Sequence, residues 1–201
     1  WIIESIKWFS NNPDQQLVIR IHPAEISGSL PSRQKVEDEI LAAFPNIPKN
    51  IFIISPESNI STYAIMSKCN SVLIYGTKTG VELTSIGIPV IVAGEAWIRN
   101  KGISIDCSTK DEYISALEKL PFTERMPRDK ITLARKYAFH FFFRRMIEIP
   151  FIQKRLGWPS IEPVVNDVHD LEEGKCIGLD IICNGIIRGS PFILNAEESL
   201  K

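Results

Sequence analysis

Apolar side chains at Ile2, Ile3, Ile6 and Phe9 recur at helical spacing, and Asn11-Asn12-Pro13 stops the pattern, which predicts a helix over residues 1–10. The period then changes. Leu17-Val18-Ile19-Arg20-Ile21 is a β-branched run of strand length that ends at His22-Pro23, where proline interrupts the ladder. Val36, Ile40, Leu41 and Phe44 predict a helix over 31–44 with Ser32 as its N-cap. Ile51-Phe52-Ile53-Ile54 reads as a second strand. Ser58 or Asn59 then caps a helix running through Tyr63, Ile65 and Met66. Ser71 to Tyr75 forms a third strand, Gly76-Thr77-Lys78-Thr79-Gly80 turns the chain into a helix from about Val81 to Ile86, and Gly87 closes it before a fourth strand, Pro89 to Val92.

Short strands alternating with helices imply parallel pairing, because parallel neighbours need a long crossover. The expected fold is therefore α/β, a doubly wound Rossmann-like parallel sheet. In such sheets ligands bind beyond the carboxyl ends of the strands, and His22, Ser55-Pro56-Glu57, Gly76 to Gly80 and Gly94-Glu95 fall at those ends. Further along, a short strand is expected at 103–105, a helix at 109–120 capped by Ser108 or Thr109, and a long helix from Pro127 to about Ile149. Residues 156–201, with Pro159, Pro163 and Pro191 among short apolar runs, read as an irregular appendage. The expected division is 1–155 and 156–201.

Composition narrows the class. Hydrophobic residues make up 44% of the 201, charged residues 23%, and 23 Lys plus Arg oppose 24 Asp plus Glu for a net charge of -1. Nothing global favours nucleic acid as a partner. The charge is uneven, however: residues 125–155 carry nine basic and two acidic side chains, whereas 156–201 carry eight acidic and three basic. The basic, aromatic stretch at 135–155 suits packing on the core with its charges solvated, a peripheral contact with an anionic membrane, or the holding of a polymer acceptor. The longest uncharged run, between Glu82 and Glu95, is too short for a membrane span. Cysteines at 69, 107, 176 and 183 have neither Cys-x-x-Cys spacing nor a nearby histidine pair, so reduced thiols without a metal are expected.

The chemistry concentrates in two places. Glycines at 76 and 80 permit a tight strand-to-helix turn that directs backbone amides, the Thr77 and Thr79 hydroxyls and the Lys78 ammonium at one point, a way to hold phosphate. The spacing of neither a Walker-type loop nor a dinucleotide fingerprint is present. Glu82, next on the helix, suits ribose hydroxyls or simply the helix dipole. His22, approached through Pro23, can donate to a phosphate oxygen or be hydrogen-bonded into its own loop, and Arg20 can serve the same site or pair with a buried acid. Gly94 to Gly102, with Trp97, Arg99 and Lys101, reads equally as a lid over a sugar or base and as an anchored surface loop. His140 and His169 read as structural.

Val18-Ile19-Arg20-Ile21-His22-Pro23, the Gly-Thr-Lys-Thr-Gly turn with Glu82, Gly87-Ile88-Pro89-Val90-Ile91, and Gly94-Glu95 with Lys101-Gly102 together resemble the C-terminal nucleotide-sugar half of GT-B glycosyltransferases. The closest likeness is to the capsule polysaccharide biosynthesis family, which includes Kdo transferases, over roughly residues 15–120. The resemblance implies a glycosyltransferase of capsular or surface polysaccharide synthesis. Its donor would be a nucleotide-sugar, a CMP-sugar such as CMP-Kdo foremost. No cofactor is implied beyond that substrate, and the lack of an Asp-x-Asp pair agrees with metal-independent chemistry. It assigns His22 and Pro23 to the phosphate, Thr77 and Thr79 to the same group, and the helix acid to Glu82, although Lys78 departs from the usual Ser or Thr pair. His22 and Glu82 are thus the catalytic candidates. Arg20, Pro23, Gly76, Thr77, Lys78, Thr79, Gly80 and Glu95 are the binding candidates. The resemblance further implies a polysaccharide or glycolipid acceptor and a cytoplasmic location at the inner face of the membrane. An N-terminal GT-B domain supplying the acceptor site is expected upstream of Trp1, without which the chain is expected to be inactive. A UDP-N-acetylglucosamine 2-epimerase-like enzyme and a non-catalytic nucleotide- or carbohydrate-binding module are the competing readings.

Overall fold

A computed structural model describes residues 1–27 and 32–200. It separates into two compact units, 1–135 and 136–201.

The first unit is an α/β fold with parallel sheets, consistent with a Rossmann-like architecture. Its elements run α1 (Ile2–Ser10), β1 (Leu17–Arg20), α2 (Ala24–Ser27), α3 (Val36–Ala43), β2 (Ile51–Ile54), α4 (Thr62–Lys68), β3 (Val72–Ile74), α5 (Thr79–Ser85), β4 (Val90–Val92), β5 (Ile105–Asp106) and α6 (Lys110–Leu117). The α7 helix (Arg128–Phe139) then runs on into the second unit. Hydrogen bonding divides the strands into two ladders. β1 pairs with β2, with Leu17 opposite Ile51, and β3-β4-β5 form the other, with Leu73 opposite Ile91 and Ile91 opposite Ile105. Every pairing is parallel.

Side-chain packing joins what the ladders leave apart. One cluster centres on Ile6, Phe9, Ile19, Ile40 and Ile51, another on Ile91, Cys107, Tyr113, Ala116 and Leu117, and Trp8, Leu73 and Leu120 pack against both. The apolar period of α1 accounts for its place, since Ile6 and Phe9 are the face it buries. All three residues of β4 are buried, as a strand flanked by parallel neighbours requires. Each fully buried Ile or Leu contributes about 1.5–3 kcal/mol. Asn50 Nδ2 donates to Phe9 O and Gln15 O, both at 2.8 Å, which ties the end of α1 to the entry of β1.

Several helix boundaries differ from those predicted, for local reasons. Ser32 does not cap α3: Lys35 holds that position without a side-chain bond, and the Glu25 carboxylate accepts Val36 N–H instead at 3.1 Å. Residue 31, where that helix was expected to begin, lies outside the described residues. Ser61, not Ser58 or Asn59, caps α4 by accepting from Ala64 N–H. For α6, Thr109 caps by accepting from Glu112 N–H, while the Glu112 carboxylate accepts from Ser108 N–H at 2.6 Å.

The second unit is more regular than its sequence suggests. The long helix expected to reach Ile149 gives way after Phe139 to a π turn, His140–Arg144, and Phe139 just before it stacks on Phe143 within it, with ring centroids 5.4 Å apart. β6 (Ile152–Lys154) and β7 (Ile161–Pro163) form an antiparallel hairpin. Residues 156–201 are not irregular throughout, because α8 (Ile177–Arg188) is a twelve-residue helix closed by Gly189 in the left-handed region at φ 69°. Gly178 and Gly185 weaken its helical signal, yet each is a point of close approach: a Cβ on the first would collide with Glu148 O, and on the second with the Phe192 ring.

Candidate nucleotide-sugar site

β1 delivers Arg20 and then His22 at its carboxyl end. The Arg20 guanidinium donates through Nη1 to Ile21 O and Ser55 O, both at 2.6 Å, and through Nη2 to Ser58 O at 3.2 Å. It therefore pins the loop after β2 to the end of β1 by binding carbonyls, and the buried acid envisaged as its partner is not what it meets. Its Nε is buried with no partner among the described residues. In that same loop Glu57 is held below the usual carboxylate range by its own backbone N–H first and the Ser55 hydroxyl second.

His22 is exposed, and its Nδ1 accepts from Ala24 N–H at 3.0 Å. A ring nitrogen that accepts carries no proton, so the proton sits on Nε2 and makes that atom a donor. Pro23 contributes backbone: its carbonyl accepts from the amides of Ile26 and Ser27 and from the Ser27 hydroxyl, winding the short α2 directly after the histidine.

β3 delivers the glycine-bounded turn. Thr77 Oγ1 accepts from Thr79 N–H at 3.3 Å and lies 3.2 Å from Thr79 Oγ1, so the two hydroxyls form one polar cluster. Lys78 is exposed between them. Gly76 faces the next strand end, where a Cβ would come within 2.8 Å of Glu95 O, so the turn after β3 and the segment after β4 touch through backbone. Gly80 has a different setting: it is buried, and Ile74 Cδ1 and Ile98 Cδ1 would both lie 2.8 Å from its Cβ. Its structural task is to let α5 approach β3 closely.

Glu82 occupies the first turn of α5. Its Oε2 is buried without a partner among the described residues, and the negative Glu82 carboxylate pushes the Tyr63 phenol pKa up. Glu95 is exposed and lies 3.5 Å from Arg99 Nε. Arg99 also donates to Gly94 O, Cys107 O and Ser108 Oγ, and Ile98 is fully buried, so segment 94–102 is anchored to the body of the unit.

The structure thus brings Thr77 to Thr79 and Gly76 to Glu95. Among the described residues, no hydrogen bond or ion pair joins His22 to the Gly76–Gly80 turn. A groove of about 420 Å³ lies elsewhere, at the amino ends of β4 and β5, where Pro89, Ile103, Pro121, Phe122 and Lys130 line it. None of the ten candidate residues borders it. Among the described residues no cluster of three or more His, Cys, Asp or Glu is placed to hold a metal ion, and no helix is long and apolar enough to cross a membrane. Burial pushes the Cys69 and Cys107 thiols up, the reverse of what a reactive thiolate needs.

Comparison with known proteins gives one finding. Residues 3–123, more than half of the chain, match the family model described as "Capsule polysaccharide biosynthesis protein". The chain has no significant match among curated proteins or solved structures.

Proposed function

The chain belongs to the capsule polysaccharide biosynthesis family, and from that premise we propose that it binds the nucleotide-sugar donor of a GT-B-type glycosyltransferase, a CMP-sugar such as CMP-Kdo, during synthesis of a capsular or surface polysaccharide. One observation carries the reading: the matched region contains all ten candidate residues, and these lie at or just after the carboxyl ends of parallel strands.

In this reading, sugar transfer leaves negative charge on the departing phosphate. His22 Nε2–H donates to it, and Thr77, Thr79 and Lys78 surround it with hydroxyl donors and a cation. Stabilising charge that develops in the transition state is the contribution that raises the rate. Glu82 accepts from ribose hydroxyls and so positions the nucleoside. Gly76 and Glu95 shape the cleft by backbone approach, while Arg20, Pro23 and Gly80 hold the surrounding loops in place. The acceptor is a growing polysaccharide or a glycolipid, met at the inner face of the cytoplasmic membrane.

Calorimetric titration of CMP, CDP and UDP against the wild-type chain and His22→Ala tests the assignment. The expected result is cytidine-nucleotide binding that falls about ten- to hundredfold in His22→Ala, the scale of one hydrogen bond to a charged group, with the thermal unfolding midpoint unchanged. Equal affinities in the two proteins contradict the role of His22. A preference for UDP favours the epimerase-like reading.

A further inference from the structure

Beyond residue 123, where the family match ends, the hairpin of β6 and β7 is covered on neither face. Every residue from 152 to 163 is exposed. Arg155 N–H donates to Ser160 O at 3.0 Å and closes a tip of four uncharged residues, Leu156-Gly157-Trp158-Pro159. Leu156 is 98% exposed and Trp158 74%, and a Cβ on Gly157 would meet nothing within 4 Å, so the tip projects into solvent. The ladder sorts the other side chains, because opposed residues of an antiparallel pair share a face and successive residues alternate. Ile152 with Pro163 and Lys154 with Ile161 make one face, apolar but for the lysine, and Gln153 with Glu162 makes the other. Arg155 joins the polar side, its Nη1 3.7 Å from Glu162 Oε2.

We propose that this hairpin is a shallow membrane anchor whose Leu156-Gly157-Trp158-Pro159 tip dips into the headgroup and upper acyl region of an anionic lipid leaflet. The occupant follows from the chemistry. Indole joins a large apolar ring to one N–H donor, the combination that favours the membrane–water interface, and Leu156 adds apolar area beside it. Lys154 and Arg155 precede the tip on long apolar stems, which let their charges stay at the level of the lipid phosphates while the tip inserts. Two cations face the single acid of the hairpin, Glu162, so the base of the tip complements an anionic surface. A protein partner buries about 800 Å² on each side in shaped contact, more than a four-residue tip offers, whereas fluid lipid needs no matching shape. Strands of three residues are far too short to span, which leaves shallow insertion as the mode. The anchor does not depend on the nucleotide reading, and it adds an element that keeps the chain beside a lipid-borne acceptor.

The test is flotation of the full chain with vesicles of phosphatidylcholine, alone or mixed with phosphatidylglycerol. Wild type should float with the anionic vesicles. The double variant Leu156→Ser, Trp158→Ser should partition about ten- to hundredfold less, the scale of withdrawing one large apolar side chain from water. The double variant Lys154→Gln, Arg155→Gln should lose about tenfold or more on the anionic vesicles alone. With lipids brominated on the upper acyl chain, tryptophan fluorescence should be quenched in wild type and not in Trp158→Phe, since Trp1, Trp8 and Trp97 belong to the other unit. Absence of wild-type flotation, equal flotation of the serine variant, or quenching that survives Trp158→Phe overturns the proposal. So does a wild-type dimer in sedimentation equilibrium that dissociates in the serine variant, which assigns the tip to a second copy of the chain. Tip-dependent flotation of a chain that binds no nucleotide leaves the anchor standing while the donor-site reading fails.

Discussion

The Glu95 carbonyl closes over Gly76, so that a methyl group on residue 76 would lie 2.8 Å from the oxygen. This contact fixes the turn after β3 against the chain leaving β4. Backbone cannot yield as a flexible side chain can. Gly76→Ala should therefore displace the turn, weakening nucleotide binding and destabilising the unit by about 1–3 kcal/mol. Urea denaturation and a CMP titration on the same protein check both effects.

The Thr77 hydroxyl accepts the Thr79 amide in the turn leading into α5, which gives it a structural role beside that of a candidate ligand. Thr77→Val keeps the shape and removes the acceptor. A stability loss of about 0.5–1.5 kcal/mol, the scale of one net hydrogen bond, is expected. Thr79→Val, whose hydroxyl accepts from no backbone amide in the turn, should cost less stability. Any loss of nucleotide affinity there reports on the ligand directly.

How much of this was legible beforehand depends on the kind of signal. The strands were, because Leu17 to Ile21, Ile51 to Ile54 and Val90 to Val92 are β-branched runs bounded by proline, polar residues or glycine, and a buried parallel strand leaves that trace. Helix caps were legible only in part: Thr109 caps α6 as expected, but Ser32 and Ser58 cap no helix. Ser32, Ser58 and Ser61 are the same residue type, and only the path of the chain decides which hydroxyl faces a free amide; at α3 the acceptor came from Glu25, eleven residues earlier. Glycines in α8 misled because propensity registers their cost in a helix and not the neighbours that require them.

Glu4 gives a pH dependence with a definite sign. Lys110 first and Lys7 second hold its carboxyl at about 2, with N–O distances of 2.7 and 2.9 Å. A folded-state pKa below the unfolded one stabilises above the unfolded value and loses that contribution as pH falls through the folded value. The stability difference between wild type and Glu4→Gln should thus be full above about pH 5 and vanish towards pH 2. Added salt should reduce it, because the pair is on the surface. Thermal melts across that range check both.

Tyr113 OH lies 2.7 Å from Ser5 Oγ in a buried pair that joins α6 to α1. Tyr113→Phe leaves Ser5 its bond to Trp1 O but removes the cross-helix partner. An equilibrium unfolding measurement should register a loss of about 1–2 kcal/mol, with nucleotide affinity unaffected.

The most direct measurement is a backbone amide NMR titration of the chain with CMP. Shifts concentrated at Ile21 to Ala24 and Gly76 to Glu82 are the predicted result, because both segments then meet one ligand. Shifts confined to the groove at Pro121 to Lys130, or to only one of the two strand ends, contradict the account.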